Sequence, residues 1–120
     1  MSVIALEHAQ LAIPPGGEDL ARTFYQGVLG LPEASKPADL AKRGGCWFEN
    51  GAVKLHLGVE EDFRPAKKAH VALVVDDLDA LLARARAAGC EVIDPVTFQQ
   101  RRQAYVFDLH GNRLELLEAV

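Results

Sequence analysis

The chain has 120 residues and a mass of 13.0 kDa, the size of one domain that can bury a hydrophobic core. Hydrophobic residues make up 49% of it and charged residues 25%, and the formal net charge of -4 weighs against nucleic-acid binding, for which a basic stripe is usual. No apolar run approaches the roughly 20 residues that span a bilayer, and no secretory leader is visible, so we expect one cytoplasmic domain, residues 1–120, without membrane contact.

The first half of the chain predicts a strand, a helix and then short strands. In chain order these are a strand at 4–13, a helix at 18–29, weaker strands near 33–36 and 45–49, and a strand at 52–59. Pro14 begins the Pro-Pro-Gly-Gly run that ends the first strand. The helix carries Leu20, Phe24 and Val28 at four-residue spacing, and the Asn50-Gly51 pair predicts a hairpin.

The second half repeats this order. Its elements are a strand at 68–75, a helix at 78–88, strands at 91–95 and 102–108, and a last strand at 113–118. Asp76 or Asp77 caps the helix and Gly89 ends it. A charged linker that contains Pro65 separates the halves, so we expect two modules of one domain, at about 3–60 and 67–119.

Three histidines and one glutamate interrupt the apolar pattern of four strands in the same way. His8 and His70 open the first strand of each half, and His56 and Glu115 lie in the last strand of each half. Because successive strand side chains point to opposite faces, each of the four points away from the main aliphatic side of its strand. If the strands belong to one curved sheet, the four could converge on its concave face and bind a divalent metal ion.

Three segments carry a resemblance to the vicinal oxygen chelate superfamily, and together they extend over essentially the whole chain. They are FYQGVLGLPE, HVALVVDDLDALLARARAAGCEV and YVFDLHGNRLELLE. The last is similar to the family's Asp-Pro-x-Gly-Asn-x-x-Glu-Leu signature, with Leu109 in place of the proline. The superfamily includes glyoxalase I, fosfomycin resistance enzymes, extradiol dioxygenases, methylmalonyl-CoA epimerase and bleomycin resistance proteins. The resemblance implies an α+β fold in which two βαβββ modules form a curved, mixed-sheet cup.

The resemblance also implies one divalent metal ion. In bacterial glyoxalase I the ligands are His, Glu, His and Glu, and the matching residues here are His8, His56, His70 and Glu115, so His56 departs from that pattern. Members with three ligands use two His and one Glu, which match His8, His70 and Glu115. Zn, Ni, Fe(II) or Mn suits these donors and would act as a Lewis acid on a substrate with neighbouring oxygens. Glu115, if it leaves the ion, is the candidate general base.

The substrate and the reaction stay open at this point. Isomerase or lyase chemistry on a small oxygen-chelating substrate is favoured, and epimerisation, ring-cleaving oxygenation of the dioxygenase type and opening of an epoxide are also compatible. The alternative to an enzyme is a metal-free protein of the bleomycin-resistance type that sequesters a ligand. Either Trp47 or Phe48 should line the cup, because they alternate faces. Arg101 and Arg102 could bind a carboxylate or phosphate of the substrate. No dinucleotide or phosphate-loop motif is present, so we expect no nucleotide cofactor.

The resemblance further predicts a homodimer, because related proteins often build the cup from modules of two chains. In such an exchanged arrangement His8 and His56 would come from one chain, and His70 and Glu115 from the other. Pairing within one chain is equally compatible with the sequence.

Overall fold

The structure is a computed structural model that describes residues 1–120 and contains two four-stranded sheets. The strands are β1 (Ala9–Ile13), β2 (Glu33–Ala34), β3 (Cys46–Asn50), β4 (Val53–Val59), β5 (Val71–Val75), β6 (Val92–Phe98), β7 (Arg101–Phe107) and β8 (Arg113–Glu118). The helices are α1 (Glu18–Ala21), which continues directly as a π-helical segment (Arg22–Val28), α2 (Ala38–Ala41) and α3 (Leu78–Ala87). None of these helices is long and apolar enough to cross a membrane.

Both sheets have the same topology. Their strand orders are β1-β4-β3-β2 and β5-β8-β7-β6, with one parallel pair in each, β1 with β4 and β5 with β8, and antiparallel pairing elsewhere. The predicted α+β fold with two βαβββ units is therefore confirmed. The sheets do not close into a barrel, and β1 and β5 are each the last strand at one edge of their sheet.

The first strand and the first helix differ from their predicted forms. β1 begins at Ala9 instead of residue 4, and Val3, Ile4 and Leu6 are 92%, 95% and 82% exposed. The chain offers these first residues no partner strand, and a segment with strand propensity forms a strand only where it is paired. The helix becomes π-helical after its first turn, and the Leu29 N–H reaches back five residues to the Phe24 carbonyl at 2.9 Å.

Each sheet has one face covered by helices. In the first sheet Leu55 and Leu57 of β4 point into the core, and in the second sheet Leu114 and Leu116 of β8 do so. The alternating residues of each strand point to the other side, which we call the open face of the sheet. Because no helix of the chain packs there, polar and chemically active side chains can gather on the open faces.

A buried hydrogen-bond network joins the two modules. Asn112, with no exposed surface, donates from Nδ2 to the Ala12 carbonyl at 2.9 Å and to Asp108 Oδ2 at 3.0 Å, and it accepts from the Ala66 N–H at 2.9 Å. The Tyr25 hydroxyl donates to the same Asp108 Oδ2 at 2.7 Å. The Asp108–Asn112 turn, which resembles the family signature, thus fixes how the second module lies against the first.

Candidate functional site

The first open face carries a cluster around His56. The pairing of β4 places His56 beside Gln10 of β1 and Trp47 of β3, so these side chains share one face. Trp47 stacks on the His56 ring at 4.1 Å between centroids and 7° between planes. His8 stacks on the same ring at 4.4 Å and 20°. As a result His56 is only 5% exposed, although no helix covers it.

Glu49 completes this cluster. Its Oε2 lies 2.8 Å from Nε2 of His56, and Glu49 stands two residues from Trp47 on the same face of β3. The imidazole of His56 is thus held at its edge by a carboxylate and on its faces by two aromatic rings. This arrangement leaves its ring almost no freedom to rotate.

The second open face carries a cluster around His70. Nδ1 of His70 lies 2.8 Å from the Lys68 carbonyl, and its Nε2 lies 3.0 Å from Oε1 of Glu115. A carbonyl oxygen only accepts, so Nδ1 carries a proton, and in the neutral ring Nε2 has its lone pair towards Glu115. Two lone pairs facing each other at this distance would repel unless Nε2 is also protonated, which makes the contact a His–Glu ion pair, or both atoms bind one metal ion.

Arg113 and Tyr105 lie beside this pair. The register of β7 and β8 places Tyr105 opposite Glu115, and the guanidinium carbon of Arg113 lies 3.7 Å from the centre of the Tyr105 ring. Nε of Arg113 is the only buried side-chain nitrogen or oxygen in the chain that has no hydrogen-bond partner. The second open face therefore combines a His–Glu pair with a cation that has an unused donor.

The structure brings the four candidate ligands together as two pairs. His8 stacks with His56, and His70 bonds to Glu115, but nowhere in the chain do three or more His, Cys, Asp or Glu side chains come close enough to hold a metal ion. In each pair the first histidine immediately precedes an edge strand, β1 for His8 and β5 for His70, and its partner, His56 or Glu115, lies in the neighbouring strand β4 or β8.

The predicted substrate contacts are distributed differently. Trp47 lies on the open face against His56, while Phe48 is fully buried in the core. Arg101 is on the second open face, four residues along β7 from Tyr105, which corresponds to about 13 Å. Arg102 points to the opposite face, where it donates to Asp79 of α3 at 2.7 Å, and this hydrogen bond raises its pKa. In this structure, therefore, Arg102 does not lie on the open face with Arg101.

Glu49 and Arg113 belong to the two clusters but are not among the predicted site residues. The alternation of side chains between the two faces of a strand was the signal that could have identified them. The Asn50-Gly51 hairpin sets the register that puts Trp47 opposite His56, and Glu49 follows on the same face. In β8, Arg113 is two residues before Glu115 and therefore shares its face.

Comparisons with known proteins agree with this fold. Residues 8–116 match the family model described as Glyoxalase/Bleomycin resistance protein/Dioxygenase superfamily. A Bacillus anthracis protein described as belonging to the glyoxalase family is 41% identical, with a TM-score of 0.90 over 100% of this chain and 98% of that chain. No curated protein matches the sequence.

The genomically encoded fosfomycin resistance protein FosX from Listeria monocytogenes has the same fold. It is 16% identical, with a TM-score of 0.78 over 99% of this chain and 96% of that chain. A FosX variant from the same organism, complexed with Mn(II) and 1S,2S-dihydroxypropylphosphonic acid, is 17% identical, with a TM-score of 0.80 over 99% of this chain and 95% of that chain.

Proposed function

This chain belongs to the Glyoxalase/Bleomycin resistance protein/Dioxygenase superfamily, and we propose that it is a divalent-metal-dependent enzyme of that superfamily. Its substrate in this proposal is a small anionic molecule with neighbouring oxygens, and its reaction is of the isomerase or lyase type. The observation that carries the proposal is the His70–Glu115 pair, in which the donor atoms of an imidazole and a carboxylate lie 3.0 Å apart.

That separation fits two ligands of one ion. In an octahedral site, bonds of about 2.1 Å to neighbouring ligands would place the donor atoms roughly 3 Å apart. The Lys68 carbonyl holds the proton on Nδ1 of His70, which is the outer contact that commonly orients a metal-binding histidine. Zn, Ni, Fe(II) and Mn all accept this combination of donors.

The stacking of His8 on His56 favours three protein ligands over four. A metal ion lies in the plane of each imidazole that binds it, and two rings 4.4 Å apart and inclined by 20° have planes that meet only roughly 10 Å away. As they lie here, His8 and His56 do not both reach one ion. We therefore propose His8, His70 and Glu115 as the ligands and place His56 next to the ion.

A homodimer would assemble this site. His8 and His70 immediately precede β1 and β5, which belong to different sheets. The second open face exposes Val74 (64%), Ile93 (45%), Val96 (58%) and Phe98 (51%). Exposed apolar residues of this number on one face are typical of a surface that a partner covers. We propose that the open face of the first module of one subunit covers the second open face of its partner, with His8 from one chain and His70 and Glu115 from the other.

The bound ion would supply Lewis-acid stabilisation to negative charge that develops on a substrate oxygen. Residues of the chain would bind the substrate and accept its proton. Arg113, whose guanidinium carbon lies 3.7 Å from the centre of the Tyr105 ring, would bind the anionic group of the substrate through its terminal nitrogens. Glu115, where it leaves the ion, would accept a proton as general base. FosX offers a parallel, since its structure was obtained with Mn(II) and a phosphonic acid.

Metal analysis tests the proposal. The protein, purified without a metal-affinity tag, is loaded separately with Mn, Zn, Ni and Fe(II), and its bound metal is compared with that of a His70→Ala/Glu115→Ala double variant. Glu61→Ala, an exposed carboxylate of the linker, is the matched control. We expect about one ion per site in the wild type and the control, and none in the double variant. If the wild type retains none of the four metals, the protein is instead a ligand-sequestering member of the superfamily.

A mixing experiment tests where the ligands come from. His8→Ala and Glu115→Ala each remove one ligand from every site, so neither homodimer holds a complete set. In mixed dimers of an exchanged arrangement, one of the two sites recovers all of its ligands, and equal co-expression should restore about a quarter of the wild-type metal content. If each site were built within one chain, mixing would restore none. Light scattering at micromolar concentration gives the dimer mass independently.

A further inference from the structure

Glu49 and His56 form a buried pair that the metal site itself does not require. His56 is 5% exposed, and its Nε2 lies 2.8 Å from Oε2 of Glu49. Glu49 is next to Lys54 in the strand register, but the hydrogen bond of Lys54 goes to Glu7, so the Glu49 carboxylate is directed at His56 alone.

The hydrogen bond to Glu49 decides which nitrogen of His56 carries the proton. An ionised carboxylate only accepts hydrogen bonds, so in the neutral imidazole the proton must be on Nε2. Nδ1 then has a free lone pair and makes no hydrogen bond to the protein. Because the only buried side-chain nitrogen or oxygen without a partner is Nε of Arg113, Nδ1 of His56 must be in contact with solvent.

The stacked rings determine where that lone pair points. Trp47 at 4.1 Å and His8 at 4.4 Å lie on the two faces of the imidazole, so a rotation of His56 would require both to move. His8 is also the residue that we propose as a metal ligand. Nδ1 of His56 is therefore a fixed hydrogen-bond acceptor beside the place where a substrate would bind.

We propose that Glu49 is a positioning residue that holds His56 as its Nε2–H tautomer, and that His56 accepts a hydrogen bond through Nδ1 from a hydroxyl group of the bound substrate. This rests on the proposed function for the identity of the site. The proposal assigns a specificity for substrates that carry a hydroxyl group next to the metal-binding oxygens, because a substrate without it would leave Nδ1 unpaired in a closed site.

Nitrogen-15 NMR of the histidine rings tests the tautomer on the metal-free protein. The chain has four histidines, so long-range proton–nitrogen spectra are simple, and His56→Gln assigns the signals of that ring. We expect a protonated Nε2 and an unprotonated Nδ1 in the wild type. Glu49→Gln should give a mixture of tautomers, because an amide can either donate or accept. Glu60→Gln, the same change at an exposed position at the end of β4, should leave the spectrum unchanged.

Mn(II) affinity, measured with the metal alone, separates the role of His56 from that of a ligand. We expect Glu49→Gln and His56→Gln to retain Mn(II) binding, with at most the roughly 10–100-fold loss of affinity typical of changes next to a ligand, whereas His70→Gln, which removes a ligand, should show no measurable binding. The positioning role is refuted if His56 carries its proton on Nδ1 or on both nitrogens, or if Glu49→Gln leaves the tautomer unchanged. Loss of Mn(II) binding in His56→Gln would make His56 a ligand. The tautomer is read without metal, so failure of the proposed function would be seen separately, as absence of Mn(II) binding in every variant.

Discussion

Replacement of Asn112 by alanine should weaken the junction between the two modules more than any change at the open faces. The side chain of Asn112 donates to the Ala12 carbonyl and to Asp108 and accepts from the Ala66 N–H, with donor–acceptor distances of 2.9, 3.0 and 2.9 Å. All three interactions end in Asn112→Ala. The backbone N–H of Asn112 still donates to Asp108 Oδ1 at 2.9 Å, so the turn itself keeps part of its support.

The expected loss follows from burial. A net hydrogen bond contributes about 1 kcal/mol, and a buried partner left unpaired costs about 1–3 kcal/mol more. Asp108 is 4% exposed and Asn112 has no exposed surface, so water does not easily replace the lost contacts. We therefore expect the free energy of unfolding to fall by about 4 kcal/mol, a large part of the 5–15 kcal/mol typical of a domain. Tyr25→Phe, which removes one donor to the same carboxylate, should cost about 1–2 kcal/mol.

Urea unfolding followed by circular dichroism measures both losses, at one fixed protein concentration because dimerisation would add to the apparent stability. Glu61→Ala is the control, since Glu61 is exposed and its side chain makes no hydrogen bond, and it should change the free energy by less than about 0.5 kcal/mol. A loss below about 1 kcal/mol in Asn112→Ala would refute the view that this turn holds the modules together.

Two further changes test local features of the fold. Gln100 lies in a hairpin turn with φ of 67°, where residues other than glycine are strained, so Gln100→Gly should raise the free energy of unfolding by about 1 kcal/mol. Gln26→Gly in the first helix should instead lower the free energy of unfolding, because glycine destabilises a helix. Thermal unfolding of the two variants distinguishes the opposite signs. Burial raises the pKa of Cys46 from 9.0 to about 11, and burial followed by the charge of Asp108 raises that of Tyr25. The unfolded chain thus loses these protons first, and stability should fall as the pH rises above about 9. Cys46→Ala should remove part of that fall in pH-dependent urea titrations, and an unchanged profile would contradict a buried thiol as its cause.

The repeated sequence pattern predicted most of the fold because the strands, turns and helices of each module depend on residues that are close together in the sequence. Alternating apolar residues, the Asn50-Gly51 hairpin and the capped second helix are short-range features, and they correspond to β4, to the β3–β4 turn and to α3. Asp77 caps α3 by accepting from the Ala80 N–H at 3.1 Å. The early start of β1 was wrong because strand formation depends on a partner, and that information is not local.

The candidate site was predicted only in part, for a related reason. The alternation of side chains along each strand identifies which of them share a face, and it would have placed Arg101 and Arg102 on opposite faces of β7. In the structure Arg102 faces α3 and pairs with Asp79. The same alternation would also have placed Glu49 on the face that carries His56. It contains no information on how two sheets approach each other, so the distance between His8 and His70 does not follow from it.

The residues that resemble the family signature and the residues of the proposed site lie in different parts of the fold, and we infer that this separation lets the reaction vary while the fold is kept. The Asp108–Asn112 turn, which carries the clearest family resemblance, has its two end residues buried at the junction of the modules, where Asn112 binds the Ala12 carbonyl of the first module and the Ala66 N–H of the linker. The side chains that we propose to act on a substrate lie on the open faces, where their neighbours are other side chains and not the core. A substitution there, such as histidine in place of glutamate at position 56, alters hydrogen bonding and ligand number without disturbing the packing that holds the modules. In the proposed site, Glu49 of β3 places a carboxylate at the edge of the His56 imidazole on the neighbouring strand β4.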